Sequence, residues 1–167
     1  MNTLSQLHTD IDARVQIIST QHTDWLCRKG CDACCRRLAD IPRLTAAEWQ
    51  LLQQGLTLLP EQQRSDIGKR IATLTEQPSR PLTCPMLEQT QGTCIIYAHR
   101  PIACRTYGFY RQRDKGLYCQ DIETRIAAGD WDNVIWGNQT VIDRQLNALG
   151  DSRDLTEWFT LWQNNKT

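Results

Sequence analysis

The feature that most restricts this chain is the stretch "CRKGCDACC", Cys27 to Cys35, in which four of nine residues are thiols and two are cations. Eight cysteines occur in 167 residues: Cys27, Cys31, Cys34, Cys35, Cys84, Cys94, Cys104 and Cys119. A chain of this length with 40% apolar residues buries enough surface to fold without cross-links, so stability does not demand disulfides. The opening "MNTLSQLHTDIDARV" lacks a cationic start followed by an apolar run, and no apolar stretch is long enough to span a bilayer. The expectation is a cytoplasmic protein with reduced thiols, and reduced thiols in such number serve metal or redox chemistry.

Cys27, Cys31 and Cys34 follow C-x-x-x-C-x-x-C, a spacing that lets one loop wrap an ion or cluster. Adjacent side chains are expected to diverge along an extended or turning backbone, so Cys34 and Cys35 are expected to face two metals or one polynuclear cluster. Cys84, Cys94, Cys104 and Cys119 are separated by ten, ten and fifteen positions, each near a turn former: Pro85, Gly92, Pro101 and Gly116. These sulfurs can converge only through the tertiary fold. All eight are candidate metal ligands, enough for two four-coordinate zinc sites or two iron-sulfur clusters. Zinc modules commonly present two C-x-x-C pairs, whereas here only Cys31 and Cys34 form one. The spacing therefore tilts toward iron, including iron-sulfur, with zinc as the alternative.

Nineteen basic residues balance 19 acidic ones, so no net field draws the whole molecule onto nucleic acid or anionic lipid. Neither nucleic acid nor membrane is the expected partner, and any basic surface for a protein partner must be local. Arg28, Lys29, Arg36 and Arg37 interleave or follow the first cysteines, while Arg100, Arg105, Arg111 and Arg113 bracket Cys104. Four thiolates around a divalent ion leave about two negative charges to stabilise. Arginine, 15 of the 19 basic residues, offers a fixed fork of donors to thiolate sulfur or to a bound carboxylate or phosphate. Arg100 and Arg105 are thus the candidates for charge compensation or substrate binding, against the plainer reading of a solvated basic face. His99 could ligate or move protons, but an ordinary half-exposed histidine in a turn is expected.

Around the thiols the pattern is helical. Leu4, Leu7, Ile11, Val15 and Ile18 make an amphipathic stripe, and Thr45 with Glu48 reads as a capping box for a helix to about Gly55. Pro60 opens a further helix with Leu59, Ile67, Ile71 and Leu74 inward. Residues 130–149 and "DLTEWFTLW" read as helices, and Ile95, Ile96 and Tyr97 suit a short strand. Trp49, Trp136, Trp158 and Trp162 fall in the expected helices as core residues. The expected fold is mainly α: one compact helical domain over 1–167, with a cysteine-rich, irregular or short β region, 27–119, organised around metal.

The combination of "CRKGCDACC", "CPML" and "GTCIIYAHRPIACRTYG" resembles the YkgJ-type cysteine cluster proteins, a zinc- or iron-chelating family, over about residues 27–119. The resemblance implies metal ligation by Cys27, Cys31, Cys34, Cys35, Cys84, Cys94 and Cys104, and by Cys119 from its place in "GLYCQD". The first three cysteines also have the spacing of radical S-adenosylmethionine enzymes, but a mainly helical chain of 167 residues has no room for their barrel. The leading functional expectation is an iron, iron-sulfur or zinc protein with a redox or metal-assisted role on an unidentified substrate. The alternative is a zinc-stabilised binding or scaffold module that meets a protein or RNA through a basic face. A thiol exchanger using Cys31 and Cys34 is a third reading. No glycine-rich phosphate loop, H-E-x-x-H or nucleophile with an evident base occurs, so no catalytic residue is assigned.

Overall fold

The computed structural model describes residues 3–165. In chain order its elements are α1 (Leu4–Gln21), β1 (Arg43–Thr45), α2 (Ala46–Thr57), α3 (Glu61–Ala72), β2 (Leu87–Glu88), β3 (Thr93–Cys94), α4 (Ile102–Thr106), β4 (Tyr110–Gln112), β5 (Lys115–Leu117), α5 (Gln120–Ala127), β6 (Gly137–Asn138), α6 (Gln139–Asn147), β7 (Ser152–Asp154) and α7 (Leu155–Asn164). Helix dominates, and the strands, two or three residues each, form small open sheets. The chain divides into two compact units. The first takes the chain up to Cys31 together with Ile102–Leu149, and the second takes Asp32–Pro101 together with the chain from Gly150 onward.

In the first unit, Thr3 caps α1 by accepting the Gln6 N–H at 3.2 Å. Leu7, Ile11 and Ile18 then fall on one face and are buried, as the apolar spacing predicts. They pack with Trp25, Ile102, Phe109, Ile122 and Ile142 into one core. Beside it, β4 pairs antiparallel with β5 and parallel with β6.

The helix expected across 130–149 forms only from Gln139. Residues 130–136 turn instead, and Trp131 adopts a left-handed φ of 59°. Tertiary contacts override the local pattern here. The Trp131 ring sits 4.4 Å from that of Trp25, its Nε1 donates to Asp24 at 3.1 Å, and Gly137 pairs with Tyr110. Ile135 remains 63% exposed, so the apolar spacing overcounted the buried face, and Trp136 packs from outside a helix.

In the second unit the capping box forms as expected. Glu48 is buried and accepts the Thr45 N–H at 2.9 Å, while the Thr45 hydroxyl accepts the Glu48 N–H at 3.4 Å. Ile67, Ile71 and Leu74 are buried, whereas Leu59 stays half-buried. Helices α3 and α7 approach closely at Gly68, where an added Cβ would lie 2.8 Å from Phe159 Cζ. The β1–β7 ladder and the Trp158 indole, which donates to Leu44 O at 2.8 Å, hold α7 in place. The strand expected at Ile95–Tyr97 is displaced. Thr93 and Cys94 pair with β2 instead, and Ile96 turns inward to 3% exposure before a 3-10 turn at Tyr97–His99.

Candidate metal centre

The second unit holds Cys34, Cys35, Cys84 and Cys94. Asp32 to Arg37 form consecutive turns, with Arg36 N–H donating to Asp32 O at 3.1 Å and Arg37 N–H to Cys34 O at 3.3 Å. In a turning backbone, successive side chains lie roughly 100° apart and not on opposite sides. The expected divergence of Cys34 and Cys35 therefore does not occur, and their thiols hydrogen-bond to each other. Two short ladders then bring in the distant sulfurs. Leu38 and Leu82 exchange both backbone hydrogen bonds, at 2.9 and 2.8 Å, and Cys84 N–H donates to Cys35 O at 2.7 Å. That register carries the Cys84 thiol to a hydrogen bond with Cys35. Cys94 enters on β3, opposite Leu87.

These thiols are partly buried. The bond to Cys35, with burial second, raises the Cys34 thiol far above the ordinary range. Cys34 alone would lower Cys35, but the bond to Cys84, burial and the neighbouring sulfurs outweigh it and push Cys35 up to about 12. Burial raises Cys94, opposed by the Ile96 backbone and by Arg100. Cys34, Cys35 and Cys94 thus keep their protons until something of opposite charge takes their place.

Arg100 acts on both Cys34 and Cys94. Its Nε donates to Tyr97 O at 2.9 Å, and its guanidinium carbon lies 3.6 Å from the Tyr97 ring centroid. Proximity along the chain pointed Arg100 toward Cys104 and hid this relation. The signal was the Tyr-x-x-Arg spacing, because residues three apart eclipse in a 3-10 turn. His99 packs against α2: a Cβ at Gly55 would lie 2.8 Å from its Cγ.

Cys27, Cys31, Cys104 and Cys119 belong to the first unit. Cys27 Sγ donates to Tyr107 O at 3.4 Å and lies over Gly108, where a Cβ would fall 2.6 Å from both its Cβ and its Sγ. Cys104 rides on α4, Cys119 is the N-cap residue of α5, and Cys31 is exposed. Cys27 and Cys119 pack on the same apolar core. Arg105, beside Cys104 in sequence, pairs with Asp12 at 3.3 Å.

None of the eight cysteines is in a disulfide. Among the described residues no three His, Cys, Asp or Glu side chains form a group that could hold a metal ion. The hydrogen-bonded run from Cys34 through Cys35 to Cys84 is a row of neighbours, not a closed shell. Its chemistry fits zinc or an iron-sulfur cluster, since thiols are the soft ligands those centres take. Around the first cysteine loop Arg28, Lys29 and Arg37 are exposed, while Arg36 is held by Asp32 at 2.5 Å. Among the described residues no helix is long and apolar enough to cross a membrane.

Thiols drawn from distant segments by turns and short ladders, none of them in a disulfide, define a cysteine-cluster protein. The chain belongs to the CxxCxxCC family, described as "Putative zinc- or iron-chelating domain", whose model matches residues 26–128. No curated protein and no solved structure matches it.

Proposed function

We propose that this chain is a zinc-stabilised binding module, in which thiolate-bound metal braces irregular segments and exposed basic side chains meet an acidic protein partner. The observation that carries this is the even division of the thiols, four in each compact unit, which matches the ligand count of a closed structural zinc site. Cys34, Cys35, Cys84 and Cys94 would hold one ion, and Cys27, Cys31, Cys104 and Cys119 the other. A divalent ion replaces the thiol protons and draws the sulfurs into a shell, so metal binding and local folding are one event. The partner face is local because the formal charge is zero, and Arg28 and Lys29 of the first unit supply it.

The contiguous run Cys34–Cys35–Cys84 favours a second reading, because a polynuclear iron-sulfur cluster accepts adjacent cysteines more readily than one tetrahedral ion does. Elemental analysis with electronic and paramagnetic resonance spectra on protein prepared without oxygen separates the two. Colourless protein with two zinc ions, and salt-sensitive binding to polyglutamate that weakens in Arg28→Glu and Lys29→Glu variants, supports the binding module. Iron with sulfur-to-iron charge-transfer absorption would overturn it in favour of a redox centre.

A further inference from the structure

Cys35 and Cys84 are brought together by a register that the backbone sets. Leu38 and Leu82 exchange both main-chain bonds, so a regular antiparallel ladder would next offer Arg36 O to the Cys84 N–H. The turns over residues 32–37 feed in one extra residue, and the Cys84 N–H donates to Cys35 O instead, at 2.7 Å. That shift puts Cys35, not Arg36, at the bonded position opposite Cys84. Both segments are anchored. Leu82, Met86 and Leu87 are buried on either side of Cys84, while Arg36 ties the Cys35 turn to Asp32 at 2.5 Å and to Gln89 O at 3.2 Å.

Residues bonded across an antiparallel pair have Cα atoms about 5.5 Å apart, inside the window of about 4.4–6.8 Å that a disulfide spans without strain. Adjacent Cα atoms lie only about 3.8 Å apart, which leaves Cys34 and Cys35 outside it. Cys94 takes its register from Leu87, not from Cys35 or Cys84. We propose that Cys35 and Cys84 form a reversible disulfide, a redox switch built into this cluster. The oxidant is a low-molecular-weight disulfide such as glutathione disulfide. One protein thiolate attacks it, forming a mixed disulfide and releasing one glutathione thiolate. The second protein thiolate attacks the protein sulfur of that mixed disulfide, forming the Cys35–Cys84 bond and releasing the other glutathione. The two thiol protons end on the released glutathiones, so two protein thiols are oxidised and one glutathione disulfide is reduced. The new bond closes the part of the chain that carries β1, α2 and α3. It also takes two sulfurs from the quartet of the second unit, so the oxidised chain cannot complete a four-thiolate shell there. The pairing does not rest on the zinc reading; only that last consequence does.

The test holds the full chain, with a chelator present, in glutathione buffers of graded disulfide content. Remaining thiols are blocked with one alkylating label, the protein is reduced, and the released thiols take a second label. Fragment masses then place each label. Cys35 and Cys84 should move to the second label together, at a disulfide content about tenfold or more below that which oxidises any pair in Cys35→Ser or Cys84→Ser. Dithiothreitol should return both to the first label. First oxidation of any other pair, Cys34 with Cys35 included, overturns the proposal. So does a chain in which Cys35 and Cys84 end as separate mixed disulfides with glutathione, or one that stays reduced at every ratio.

Discussion

Substituting Gly108 by alanine tests how Cys27 is placed. Gly108 has φ 91°, a conformation that costs an L residue about 1–2 kcal/mol. The new methyl would lie 2.6 Å from both Cβ and Sγ of Cys27, well inside contact distance. Overpacking of this kind costs about 1–3 kcal/mol. The backbone cannot easily retreat, because Gly108 O accepts the Trp25 indole N–H at 3.2 Å and Gly108 N–H donates to Leu117 O at 2.6 Å. The two contributions together give a loss of about 3 kcal/mol. With a urea slope of about 2 kcal/mol per molar, the unfolding midpoint should fall by about 1.5 M. Gly129→Ala is the control. Its φ of 87° carries the same backbone penalty, but no atom lies within 4 Å of the added Cβ. Equal losses in the two variants would refute the claim that Cys27 is packed against the Gly108 backbone.

Thr45→Ala should lower stability by about 1–2 kcal/mol through loss of the α2 cap beside the buried Glu48, read as a shifted urea midpoint, and no shift would count against the capping box. His8 is held below its usual value by burial first and by Arg105 second, against Asp12. The unfolded chain therefore takes this proton more readily, and stability should begin to fall as pH drops below about 6.5, with the loss complete below the lowered folded value. His8→Gln should flatten that slope between pH 7 and 5; an unchanged slope would acquit His8. Asp24, held low by Trp131 and then Arg125, and Asp40, held low by Arg80, act only below about pH 4 and do not confuse the measurement. Under the zinc reading, Cys84→Ser and Cys119→Ser should each remove one of two ions by elemental analysis, and loss of both ions from either variant would refute the division into two quartets.

Much of the scaffold was legible in the chain because it is local. The α1 stripe, the Thr45–Glu48 box and α7 each arise from residues within one or two helical turns, where spacing alone decides which side chains share a face. Legibility failed at 130–136, where Trp131 accepts a left-handed backbone to reach Trp25 and Asp24, and at Ile95–Tyr97, where burial of Ile96 outweighed strand propensity. In both places a contact far along the chain was stronger than the local preference.

The thiols show the same division. Their number and their arginine-rich setting follow from composition and short spacing, and so does membership of the family described as a zinc- or iron-chelating domain. Which sulfurs become neighbours does not. Cys84 meets Cys35 because a Leu38–Leu82 bridge sets the register between segments far apart in sequence. Loop closure costs nearly the same free energy for many alternative partners, so the choice among them falls to hydrogen-bond register and core packing, which exist only once the chain has folded.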